Sequence, residues 1–173
     1  MLIMKICLVG PMGSGKSTIG NRLAQRLDIR FEDSDREIQR RTGVDIPFIF
    51  ETEGEDGFRK REIATIEDLV SSRESMVLAT GGGAIIKAEN RSNLKRHCTV
   101  VYLKTSVEQQ MERTKKDKNR PLLQTKDPLQ KLKELFEQRS PLYEEVADII
   151  VSTDDASIEA VLDDIEQQLE EVS

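Results

Sequence analysis

The sequence predicts a single α/β domain, a mostly parallel sheet covered by helices on both faces. Three observations carry that expectation. Short apolar or β-branched runs alternate with longer helical patterns along the 173 residues, the arrangement that buries a parallel sheet on both sides. The first of these runs, Ile6-Cys7-Leu8-Val9, feeds directly into a glycine-rich turn and then an amphipathic segment. The length suits one domain with its own core, and no repeat or low-complexity linker divides 1–173.

Taken in order, strands are expected at 4–9, 31–34, 76–80, 99–103 and 147–151. Helices are expected at about 16–27, 35–42, 58–72, 90–96, 106–116, 128–139 and 157–171. Ile19, Leu23 and Leu27 recur at four-residue spacing in the first helix, an apolar stripe facing a sheet. The last helix repeats the device with Ile158, Val161, Leu162, Ile165 and Leu169, and its many acidic residues form the solvated face. The strand at 76–80 is closed by Gly81-Gly82-Gly83, and the helix from 128 is expected to end before Pro141. Residues 113–127 are charged and poor in periodic apolar positions, with prolines at 121 and 128. They read as a loop between two helices, placed to act as a lid.

Composition excludes several classes. A net charge of −6 and a pI near 5.0 argue against a nucleic-acid partner. No apolar stretch approaches the length of a membrane span. The first residues run straight into a strand, leaving no room for a cleavable signal, so a cytosolic protein is expected. Cys7 and Cys98 make no metal-ligand spacing and read as small buried hydrophobes, a disulfide being out of place in a reducing compartment. The single histidine, His97, reads as a surface residue. Against the acidic trend, Arg113, Lys115, Lys116, Lys118, Arg120 and Lys126 cluster in one stretch that invites an anion.

The turn after the first strand, Gly10-Pro11-Met12-Gly13-Ser14-Gly15-Lys16-Ser17, is the G-x-x-x-x-G-K-[ST] pattern in its required strand–turn–helix setting. Its backbone N–H groups and the helix start favour a polyphosphate; Lys16 reaches β/γ-phosphates and the Ser17 hydroxyl ligates Mg²⁺. Further polar features fall at the carboxyl ends of neighbouring strands, where α/β ligands collect. Asp33 and Asp35, read as two apart in an extended segment, share one side of the backbone. They could hold Mg²⁺ and accept a proton, or merely cap the next helix. Three consecutive glycines exceed what a turn needs, so something is expected to pack against the bare backbone at Gly81–Gly83. Phe58-Arg59-x-x-Glu62 opens a helix near Phe48 and Phe50, and Arg139 sits where another helix meets proline. Two arginines of this kind can grip a carboxylate.

These residues resemble the shikimate kinases, especially the bacterial shikimate kinase I type. The likeness is carried by GPMGSGKSTIG at 10–20, DSD at 33–35, FRxRE at 58–62, ATGGG at 79–83, RPLL at 120–123 and RxPLYxExAD at 139–148. It implies a P-loop NTPase-type three-layer α/β/α fold with a five-stranded parallel sheet in the order 2-3-1-4-5 and a mobile lid at about 113–127. It also implies ATP-dependent phosphorylation of shikimate to shikimate 3-phosphate, on the route to aromatic amino acids, by a cytoplasmic monomer. Residue by residue, Gly13, Ser14, Gly15, Lys16, Ser17 and Thr18 would hold the ATP phosphates, with Mg²⁺ on Ser17 and, through water, Asp33. Asp35 would bind shikimate hydroxyls and take a proton, within an acceptor segment of about 33–62. Arg59 and Arg139 would clamp the carboxylate beside Gly81, Gly82 and Gly83. Arg120 would reach the transferring phosphate, and Arg113 would lie against the adenine. Residues 44–50 look less typical of the family, although Phe50 keeps an aromatic at the pocket wall.

Two other readings stand beside this one. Paired arginines also suit another hydroxy-acid kinase, such as a gluconate kinase. A GTPase-like switch or silent nucleotide-binding module is the second, but Thr114-Lys115-Lys116-Asp117 resembles a guanine-reading sequence only in the wrong place, within or after a helix.

Overall fold

The computed structural model describes residues 2–115 and 125–172. Five strands, β1 (Lys5–Val9), β2 (Arg30–Asp33), β3 (Met76–Ala79), β4 (Thr99–Lys104) and β5 (Ile149–Ser152), form one sheet in the order β2-β3-β1-β4-β5. Every pairing is parallel. The helices are α1 (Lys16–Leu27), α2 (Ser34–Thr42), α3 (Ile46–Ser71), α4 (Ala88–His97), α5 (Val107–Thr114), α6 (Pro128–Val146) and α7 (Ile158–Val172), with a 3₁₀ turn at Ala84–Ile86. The expected class and strand order are both present.

Two-residue periodicity in β1 builds the layers. Ile6 and Leu8 point to one face, where Ile19 and Leu23 of α1 and Val161, Leu162 and Ile165 of α7 cover them. Cys7 and Val9 point to the other, where they meet Ile66 and Val70 of α3, Leu94 of α4 and Tyr143 and Val146 of α6. The central strands, buried on both faces, fix the carboxyl ends of β1, β2 and β3 side by side.

Several elements differ from expectation. Helix α3 begins at Ile46, twelve residues earlier than read, because Asp45 caps Phe48 N at 3.0 Å and Pro47 lies in the first turn. Gly54, at φ 73°, interrupts its helical geometry. Helix α6 continues through Pro141 to Val146, held by the burial of Leu135, Tyr143 and Val146. Asp35 is not extended: Asp33 ends β2 and caps α2, accepting from Asp35 N at 3.0 Å and Arg36 N at 3.2 Å, so Asp35 lies in the first helical turn. The cysteine reading is also corrected. Cys98 lies just before β4, two residues ahead of Val100, the β4 partner of Cys7, and the two cysteines form a disulfide with Cα atoms 5.8 Å apart. Arg120, Lys116, Lys118 and most of the expected lid lie outside the described residues.

Candidate active site

The chain leaves β1 into the glycine-rich loop, whose last residue before α1, Gly15, adopts the left-handed conformation at φ 87°. No side chain caps α1, and no acidic residue occupies its first turn. Its first N–H groups therefore face the loop's hollow, a ready anion cradle. Lys16 Nζ donates to the carbonyls of Gly10 at 2.6 Å and Pro11 at 2.9 Å, which holds the ammonium over the loop. The Ser17 hydroxyl donates to Asp33 Oδ2 at 2.6 Å. This hollow, about 280 Å³, is lined by Gly13, Gly15, Lys16, Ser17, Thr18, Asp33, Asp35, Gly81, Gly82 and Arg113. Arg113 reaches across from α5, donating to the Gly13 carbonyl at 2.9 Å and to the Thr153 carbonyl at 2.9 Å. It also borders a second hollow, about 270 Å³, with Ser14, Thr18, Ala156 and Ile158.

Next to it opens a cleft of about 640 Å³ that shares Met12, Ser17, Asp33, Asp35, Gly81 and Gly82 as its wall. Its far side carries Phe50, Phe58, Arg59, Glu62, Gly83 and Arg139. Arg59, 4% exposed, donates from Nη1 to Glu62 Oε1 at 2.8 Å and reaches Glu55 at 3.3 Å, with its guanidinium 5.2 Å from the centre of the Phe58 ring. Phe50 packs on Phe58 at 4.9 Å between ring centres, whereas Phe48 is half exposed. Arg139, also 4% exposed, comes from α6, and its Nε has no hydrogen-bond partner among the described residues. Burial pushes the Arg139 guanidinium down, and the like charge of Arg59 adds to that. Two buried cations facing one cleft are stabilised by an anion between them.

The glycine triplet has the packed backbone that three glycines suggested. A Cβ on Gly81 would fall 2.8 Å from Asp35 Oδ1 and 2.9 Å from Glu62 Oε2, and one on Gly83 would collide with the Arg59 guanidinium. Gly81 and Gly83 thus let Asp35, Glu62 and Arg59 lie against bare backbone, and a Cβ at either position would push those side-chain ends aside. Two residues of this site had no role assigned from sequence. Glu62 is fully buried, with Oε2 unpartnered among the described residues, and burial pushes its carboxyl up to about 7 against the pull of Arg59. Tyr143 donates its hydroxyl to the Gly82 carbonyl. Both stand inside the motifs FRxRE and RxPLYxExAD, so motif membership was the available signal.

Among the described residues no group of three or more His, Cys, Asp or Glu could hold a metal by itself. The Ser17–Asp33 oxygen pair instead suits a hard cation that arrives with phosphate oxygens, as Mg²⁺ does. No helix among the described residues is long and apolar enough to cross a membrane. A larger hollow, about 690 Å³, lies at the opposite end of the sheet beside Leu2, Met4, Leu27 and Leu169, away from the phosphate loop.

Comparison with known proteins places these features in a family. The shikimate kinase family model matches residues 12–170. A shikimate kinase of Vibrio cholerae is 56% identical over 166 residues, 96% of this chain and 95% of that protein. The structure of the Acinetobacter baumannii shikimate kinase in complex with shikimate superposes with a TM-score of 0.95 at 50% identity, covering 99% of this chain and 95% of that one. A gluconokinase of Sinorhizobium meliloti, at TM-score 0.56 and 16% identity over 98% of this chain and 93% of its own, shares the fold alone.

Proposed function

The chain belongs to the shikimate kinase family, and from that premise we propose how its residues carry the γ-phosphate of ATP to a hydroxyl of shikimate. The activity is ATP-dependent phosphorylation of shikimate, giving shikimate 3-phosphate. The reading rests chiefly on one observation: the phosphate loop and the buried Arg59 and Arg139 open onto adjoining hollows with a common wall.

On the donor side, the loop N–H groups of 13–18 and the start of α1 hold the phosphates, and Lys16 exchanges its loop carbonyls for phosphate oxygens. Ser17 and, through water, Asp33 would hold Mg²⁺, which would supply positive charge against the phosphates. Arg113, braced on Gly13 and Thr153, flanks the adenine. On the acceptor side, Arg59 and Arg139 take the shikimate carboxylate, and the Gly81–Gly83 backbone supports the ring. Asp35 orients the attacking hydroxyl and takes its proton. The hydroxyl oxygen forms a bond to the γ-phosphorus as the bond to the β-bridging oxygen breaks, and ADP leaves. Transfer of this kind needs alignment and charge neutralisation more than covalent help. Arg120 is assigned to the transferring phosphate on the family motif RPLL. ATP as co-substrate fits a cytoplasmic setting, and a site assembled within one chain fits a monomer.

The test is ADP release with shikimate, gluconate and no acceptor, each with and without Mg²⁺. Release only with shikimate and Mg²⁺ is expected. Gluconate preferred over shikimate, or ATP binding without turnover on either acid, would overturn the assignment.

A further inference from the structure

Arg139 and Tyr143 are four residues apart on α6, which stacks them on one face of the helix, a turn apart. Both are buried, at 4% and 2% exposure. The Tyr143 ring lies parallel-offset on Tyr102 of β4, with centres 5.0 Å apart and planes 28° apart. That stack fixes the ring against the sheet. The hydroxyl donates to the Gly82 carbonyl, and Arg139 and Tyr143 line one small hollow beside Met12 and Leu135. One phenol oxygen thus joins the glycine turn after β3 to α6 a turn from Arg139, two parts of the acceptor cleft separated by more than fifty residues of sequence. Burial pushes the phenol above its ordinary range, so it stays protonated and keeps its donor.

A second brace ties the same two elements further out. Arg91 of α4 donates to the carbonyls of Ile85 at 2.9 Å and Ile86 at 2.8 Å, and pairs with Glu145 of α6 at 3.1 Å. This brace contacts neither Gly82 nor Arg139. The Tyr143 hydroxyl, by contrast, fastens α6 to the glycine turn one helical turn from Arg139.

We propose that Tyr143 is a positioning residue for acceptor binding, its hydroxyl fastening the turn of α6 that carries Arg139 to the Gly82 backbone so that the carboxylate clamp is formed before shikimate arrives. The proposal rests on the assignment of Arg139 to the shikimate carboxylate. A pre-set clamp loses less freedom on binding, so its loss falls on acceptor affinity and leaves the nucleotide side alone.

Tyr143→Phe tests this, because it keeps the ring and its stack on Tyr102 and removes only the hydroxyl. The expected result is a rise in shikimate KM of about five- to tenfold, the size of one lost hydrogen bond within a polar pair. ATP KM and the thermal midpoint should stay close to wild type. In an Arg139→Ala background, the same substitution should cost little further affinity, since the group it positions is gone. Ser140→Ala, next to Arg139 and buried but not lining the acceptor cleft, serves as a packing control and should leave shikimate KM unchanged. Equal losses for ATP and shikimate, full additivity with Arg139→Ala, or an unchanged shikimate KM would each overturn the proposal. Failure of Arg139→Ala itself to weaken shikimate binding would instead refute the clamp assignment, so the two failures are distinguishable.

Discussion

The two halves of the cleft are built by different means. The donor half is contiguous backbone: residues 10–18 turn once, expose N–H groups and start a helix, with the side chains of Lys16 and Ser17 reaching in from α1. The acceptor half is a set of side chains from α2, α3 and α6 packed around a glycine turn after β3. Phosphates are alike in every nucleotide, so a fixed backbone cradle serves. A hydroxy acid has a shape and one carboxylate, so its site needs oriented, buried, charged groups. The acceptor half accordingly concentrates the unusual electrostatics, with Arg59, Glu62 and Arg139 all nearly or wholly out of water.

That division can be broken most forcefully at Lys16. Lys16→Ala is expected to lower kcat by about 10²- to 10³-fold, the cost of removing one aligned charge from a developing transition state. Shikimate binding to the free enzyme, read by calorimetry, should change less than about twofold on this view. Coupled losses on both sides would show that the halves are not separate. The converse is Arg139→Ala, expected to raise shikimate KM by roughly 10- to 100-fold, the scale of a lost charge-assisted pair. ATP affinity should be close to unchanged, and equal losses for both substrates would remove Arg139 from the clamp.

The same contrast explains what is legible in the sequence. A backbone cradle must be contiguous, so residues 10–17 stand out as a motif, and two-residue alternation marks the sheet. Asp35, Arg59, Gly81 and Arg139 lie far apart in the chain, and only the resemblance to a family joins them into one site. Glu62 and Tyr143 act on other residues, and such roles depend on packing that spacing does not encode. The start of α3 escapes notice although Asp45 and Pro47 carry ordinary start signals, because Gly54 and a run of acidic residues hide the helical period. The Cys7–Cys98 bond escapes it because the expected reducing compartment argues against any disulfide, while the β1–β4 register that brings the two together is not written in sequence separation.

The smallest and most discriminating effect concerns Glu62. Its carboxyl faces Arg59 on its own helix, Asp35 on α2 and Arg139 on α6. Burial dominates and raises it from 4.5 to about 7. The folded protein therefore holds a proton that the unfolded chain has released, between those two values. The stability this supplies is complete below about pH 4.5 and is lost as pH rises through about 7. A rise of that size bounds the whole effect at about 3 kcal/mol. Glu62→Gln cannot titrate, so urea midpoints of the two proteins near pH 5 and near pH 8 should diverge in favour of the glutamine variant at the higher pH. A gap independent of pH would mean that Arg59 keeps Glu62 ionised throughout. The same group sharpens the comparison of the two halves. A carboxylate bound at Arg59 and Arg139 adds negative charge beside Glu62 and draws Arg59 away from it, and both changes raise its proton affinity. Shikimate binding near pH 7 should then take up a fraction of a proton, measured by calorimetry in buffers of different ionisation enthalpy, and Glu62→Gln should abolish that uptake. Uptake that persists in the variant would assign the proton elsewhere in the cleft.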